Sequence, residues 1–177
     1  LTKFGTREAK HRLRAVLAEA TPDGYLDDVR GHALRCLWPD VVSTSEVFER
    51  FAEPSERWSA HVEFLQDLVG QLNGVDLIPA LSWVSSRPRR FGSSQVVIQM
   101  INTCLVRATK QSGQYEELGP ALANAVLSRL SLHEQVLSTD HGEEEARSDA
   151  INEEDRRRLV ALIVAHLKSD APMPNVV

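Results

Sequence analysis

The amino-acid sequence predicts an all-α protein, and three observations lead there. Apolar residues recur at three- and four-residue intervals along nearly the whole chain. No stretch keeps the strict two-residue alternation of a half-buried strand. Proline, glycine and capping residues break the periodic segments at intervals that suit about eight helices.

The elements follow in order. Thr6 is placed to cap a first helix, with Ala9, Leu13, Val16, Leu17 and Ala20 on one face, and Thr21-Pro22-Asp23-Gly24 ends it. A second helix aligns Leu26, Val29, Ala33, Cys36 and Leu37 and must stop near Trp38, because Pro39 disfavours the helical region for its predecessor. Ser43, with Glu46 three residues on, is a capping-box signature for a short third helix through about Phe51. Pro54 opens the fourth, whose stripe is Trp58, Val62, Leu65, Val69 and Leu72, widened by Phe64 and Leu68 and stopped by Asn73-Gly74. Asp76 is the expected cap of a fifth helix carrying Leu77, Leu81 and Val84.

After the basic turn Ser85-Ser86-Arg87-Pro88-Arg89-Arg90, Ser93 or Ser94 is expected to cap a sixth helix reaching about Lys110, apolar on several sides as in a layered array. A seventh, from about Tyr115 to Gln135, is expected to bury Leu118, Leu122, Ala125, Val126 and Leu130, with Pro120 tolerated in its first turn. Residues 138–151 form an acidic segment without apolar periodicity, read as a mobile loop between a helical region (1–137) and a C-terminal helix (152–170). That last helix starts on Asn152 and turns Leu159, Leu162, Ile163, His166 and Leu167 inward. Eight helices pair naturally as antiparallel hairpins of roughly 40 residues, the size of a HEAT or armadillo unit. An α-solenoid and a compact helical array both fit.

At 177 residues the chain is long enough to bury a core without staples. Its 42% hydrophobic and 25% charged residues belong to a folded protein. A formal net charge of -5 argues against binding nucleic acid or anionic membrane through bulk charge. Cys36 and Cys104 lie within apolar helical patterns and read as buried thiols of a reducing compartment. No segment has the roughly 20 apolar residues of a membrane span, and Leu1 to Lys10 lack a signal-peptide core, so the expected location is the cytoplasm. The helical pattern begins almost at Leu1, which reads as a segment of a longer polypeptide.

Chemistry-bearing motifs are sparse. Neither a GxxxxGK[ST] phosphate loop nor a dinucleotide fingerprint occurs, and no cofactor is expected. His133-Glu134 begins like HExxH, but Leu137 stands where the second zinc ligand belongs. No serine or cysteine has an adjacent activating base, so no catalytic or metal residues are assigned. The best local cationic cluster is Arg87, Arg89 and Arg90, with Arg107 and Lys110 of the next helix as added members, a candidate for a phosphate or an acidic partner. Arg156, Arg157 and Arg158 follow Glu153 and Glu154 at pairing distance and read as a solvated face. Trp38, Trp58 and Trp83 are expected to lock helices together.

One stretch is more specific: Asp28 to Pro39 (DVRGHALRCLWP), then Ser43 to Phe48 (STSEVF), Trp58 to Leu72, and Asp76 to Trp83 (DLIPALSW). It resembles the helical-repeat region that follows the nucleotide-binding module of some large bacterial NACHT-type STAND NTPases, over about residues 5 to 135. The resemblance implies a helical sensor or scaffold arm of a signalling or defence ATPase, with the ATP-binding loop elsewhere in the parent chain. No functional residue carries over; within the matching motifs Gly31 reads as a close-packing position and Trp38-Pro39 as a helix stop. The implied partner is another protein or the rest of the parent chain. The alternative is a stand-alone protein- or phosphate-binding module, and a small helical metal-dependent enzyme comes third.

Overall fold

A computed structural model describes residues 6–18, 24–51, 59–87, 95–132 and 151–169. Among these there is no strand. The helices are α1 (Arg7–Ala18), α2 (Gly24–Leu37), α3 (Thr44–Glu46, continued by a π-helical turn Val47–Phe51), α4 (Ala60–Gln71), α5 (Leu77–Ser86, led in by the 3-10 turn Gly74–Asp76), α6 (Gln95–Gln111), α7 (Leu118–Ser131) and α8 (Glu153–Ser169).

The starts follow the capping residues where these are free to act. Thr6 Oγ1 accepts the Ala9 N–H, and Ser43 Oγ accepts the Glu46 N–H. Asn152 Oδ1 accepts the Asp155 N–H. The second half of the expected capping box does not form, because the Glu46 carboxylate turns to Arg14 at 2.7 Å. Asp76 makes no side-chain cap to α5. It belongs instead to the 3-10 turn that enters the helix, and Gly74 supplies that turn's positive φ of 54°. Trp58, Ser93, Ser94, His133, Glu134 and His141 lie outside the described residues, as do 138–150 of the expected acidic loop. Ile151, assigned to that loop, is buried.

Cross-helix bonds reveal the order of the stack. Ala60 N–H donates to Asp28 Oδ1, and Arg35 donates to Asp67, each across 32 residues, so α2 and α4 run parallel. Arg107 and Gln111 reach Leu72 and Asn73 across 35 and 38 residues, which sets α6 parallel to α4. In the other row, Lys10 meets Asp40 and Arg14 meets Glu46 across 30 and 32 residues, linking α1 to the α3 region. Ser128 donates to the Ser85 carbonyl across 43, linking α7 to α5. Two rows of parallel helices, α1-α3-α5-α7 and α2-α4-α6, therefore share one core, with a structural period of about 30 to 43 residues that no sequence repeat announces.

Leu34, Leu37, Leu65, Leu68, Leu77, Leu81, Leu105 and Leu122 fill the space between the rows. The α8 helix departs from this order. Its Arg158 lies against Gly113 and its Leu162 against Gly119, so its first half meets the start of α7 rather than folding back from the end of α7. It packs against both α6 and α7.

Five residues depart from their expected burial. Ala9 and Leu13 are exposed, because α1 has neighbours on one side only. Cys36 is half-buried whereas Cys104 is buried. Leu130 is 49% exposed while its neighbour Arg129 is 1% exposed. Leu167 is exposed, since only the Leu159 edge of α8 reaches the core.

Candidate functional site

Of the cationic residues singled out in the sequence, Arg107 and Arg87 lie apart. Arg107 Nε and Nη2 donate to the Leu72 carbonyl at 3.1 and 2.9 Å, and Nη2 also donates to Asn73 Oδ1 at 3.0 Å. A guanidinium on the last carbonyls of α4 satisfies groups that have no partner within the helix and offsets its dipole. Asn73 lies just before α5 and Arg87 just after it, so Arg107 and Arg87 sit at opposite ends of α5, about 15 Å of helix apart. Lys110, half-buried, lies one turn beyond Arg107. Arg89 and Arg90 are outside the described residues.

Arg87 has a structural setting of its own. Its guanidinium carbon stands 5.2 Å from the centroid of the Trp83 ring, a cation-π contact, and its carbonyl accepts from the Arg129 guanidinium of α7. Trp83 is buried and tilts against Phe48 with ring centroids 6.0 Å apart, as expected of a helix lock, and Trp38, half-buried, donates through Nε1 to Thr44. Arg129 was not legible as a structural cation, because its spacing from Leu122 and Val126 is that of one more core residue. One device is thus used twice: Arg107 of α6 caps α4, and Arg129 of α7 caps α5.

The described histidines do not cluster. His61 is buried, His11 and His32 are exposed, and His166 is half-buried. Among the described residues no group of three or more His, Cys, Asp or Glu side chains is placed to hold a metal ion. Arg157 and Arg158 pair with Glu153 and Glu154 at 3.3 and 3.2 Å, as their spacing predicts. Burial pushes the Cys104 thiol up to about 12, only partly countered by Arg107, which keeps it protonated and unreactive. No described helix is long and apolar enough to cross a membrane.

Among the described residues, a half-open cleft lies on the α4–α6 seam. It encloses about 250 Å³ and is lined by Gln66, Val69, Gln99, Met100 and Thr103. Met100 and Val69 are buried and form its floor. Gln99 and Thr103 are exposed and Gln66 half-buried at its rim. None of these three polar side chains makes a hydrogen bond among the described residues. The closed end of the same seam is different: Gln111 Oε1 accepts the Gly74 N–H at 2.6 Å, and Gln111 Nε2 and Arg107 share Asn73 Oδ1. Sequence reasoning passed over Gln66, Gln99 and Thr103. The available signal is that no charged residue occurs from Phe91 to Val106.

Compared with known proteins, the chain matches no family model, no curated protein and no solved structure.

Proposed function

We propose that this chain is a non-catalytic helical scaffold that recognises a protein partner, or relays binding, as the sensor arm of a larger NACHT/STAND-type NTPase in signalling or defence. The observation that carries the reading is the two-row stack, in which cross-helix bonds 30 to 43 residues apart tie α1 to the α3 region, α2 to α4, α4 to α6 and α5 to α7, while the Phe48–Trp83 ring contact joins the α3 region to α5. A stack of this kind transmits displacement along its length and presents a continuous outer surface, which are the properties of a solenoid arm. The DVRGHALRCLWP, STSEVF and DLIPALSW stretches lend support, since Gly31, Ser43 and Trp83 within them each make a contact the stack depends on.

The coding sequence upstream of Leu1 is the test. A GxxxxGK[ST] loop with an acidic magnesium-binding motif is the expected finding, and an upstream region lacking both overturns the NTPase-arm reading. Appreciable ATP hydrolysis by the purified chain itself would end the non-catalytic one.

A further inference from the structure

We propose that the α4–α6 seam is a hinge: helices α1 to α4 move as one unit, α5 to α8 as a second, and the two pivot where Arg107 grips the end of α4. Such a pivot is the moving part that a relay needs, and its biological use rests on the scaffold reading.

Within each unit, neighbouring helices are locked by directional bonds or by backbone contact. In the first, Gly31 seats α2 on the backbone of α4, and the Asp28–Ala60 and Arg35–Asp67 bonds fix the pair at separate levels. In the second, Ser128 donates to the Ser85 carbonyl at 2.7 Å and Arg129 donates to the Arg87 carbonyl, joining α7 to α5. Arg158 and Leu162 of α8 pack against Gly113 and Gly119. A hydrogen bond sets direction as well as distance, so these pairs resist sliding.

Between the units the contacts change in kind along the seam. At one end two N–H donors of Arg107 hold the Leu72 carbonyl, and Gln111 Oε1 accepts the Gly74 N–H at 2.6 Å, which pins the end of α6 to the α4–α5 connection. One turn further along lies the cleft of about 250 Å³, between Gln66 and Val69 of α4 and Gln99, Met100 and Thr103 of α6. In the other row the α3 region meets α5 through the rings of Phe48 and Trp83, with centroids 6.0 Å apart and a tilt of 54°. Trp83 stands near the C-terminal end of α5, away from the Arg107 grip. Its buried Nε1 makes no hydrogen bond among the described residues, whereas Trp38 Nε1 donates to Thr44. Apolar contact is non-directional, so the Trp83 ring can shift over Phe48 while the Arg107 bonds stay made. A directional tie at one end, a cleft beside it and a sliding contact in the other row together permit rotation about Arg107.

Pulsed electron-electron resonance between pairs of spin labels on the full chain tests the hinge. Cys36→Ser removes the half-buried native thiol, and Cys104 is buried and stays unlabelled. His32→Cys with Gln99→Cys spans the two units. His32→Cys with Gln71→Cys lies within the first unit and Ser82→Cys with Asn124→Cys within the second, all at exposed positions. The between-unit distance distribution is expected to be about twice as broad as either reference, and Arg107→Ala to broaden it further while both references hold. Equal widths in all three pairs overturn the hinge, whether or not Arg107→Ala folds. So does an Arg107→Ala chain whose between-unit width is unchanged, or whose references broaden as much. These outcomes leave the scaffold reading standing, because that reading depends on the parent chain and on ATP hydrolysis.

Discussion

The α2–α4 and α4–α6 seams join parallel helices of the same row, yet one is closed and the other open. In the first, Gly31 brings backbone against backbone: a Cβ built there would lie 2.1 Å from the Ala60 carbonyl carbon. Asp28 then reaches the Ala60 N–H at 2.7 Å, and Arg35 bridges to Asp67 at 2.9 Å on the outer side. In the second, the larger Val69 and Met100 are buried beneath a cleft in the seam. Only the far end is drawn in, by Arg107 and Gln111. Register is alike in both seams, so closure is decided by residue size where the helices approach.

Breaking the closed seam should have the largest effect. Gly31→Ala places a methyl group into immobile backbone, and a loss of about 3 kcal/mol is expected, at the upper end of ordinary overpacking. Urea denaturation measures it, and an unchanged midpoint would mean that α2 and α4 are not in backbone contact. At the tied end of the open seam, Arg107→Ala should cost about 1–2 kcal/mol by leaving the Leu72 carbonyl without its charged donor. A loss no larger than that of an exposed residue would remove the capping role.

Gly70 provides the opposite sign. Nothing lies within 4 Å of a Cβ built there, so Gly70→Ala should stabilise α4 by about 0.5–1 kcal/mol. Any destabilisation would show that this face of α4 is covered. Smallest is Gln99→Ala, expected within about 0.5 kcal/mol of the parent because its side chain holds nothing in the fold.

The two cysteines report on the same helices without a change in stability. Cys36 on α2 should label with a thiol reagent in the native state, whereas Cys104 on α6 should label only at the rate of unfolding. Its thiol pKa rises from 9.0 to about 12 on folding, so the unfolded chain loses its proton first as pH rises. The contribution of Cys104 to stability is therefore complete below pH 9 and is lost between pH 9 and about 12. Native-state labelling of Cys104 as fast as that of Cys36 would contradict its burial.

Much of the fold was legible in local signals. Thr6, Ser43 and Asn152 cap the helices they were expected to cap, and the Val62, Leu65, Val69 and Leu72 stripe is buried as read. Those features depend on backbone geometry and periodicity within one helix, which a sequence carries directly. Leu130, expected to be buried, is exposed, because which side of α7 is covered depends on α5, 42 residues away, where Arg129 is held instead. Arg107 does not join Arg87 for the same reason, since adjacency across a turn does not place a residue twenty positions later at the same end of α5.

The sequence by itself determined the all-helical class, most helix boundaries and the apolar stripes, because hydrogen bonding and amphipathicity within a helix are local. Only the tertiary structure decided which helices share a row, that Arg107 and Arg129 serve as caps, and that the α4–α6 seam stays open. Those outcomes depend on side-chain volumes and charges meeting across 30 or more residues of chain, where no local pattern constrains them.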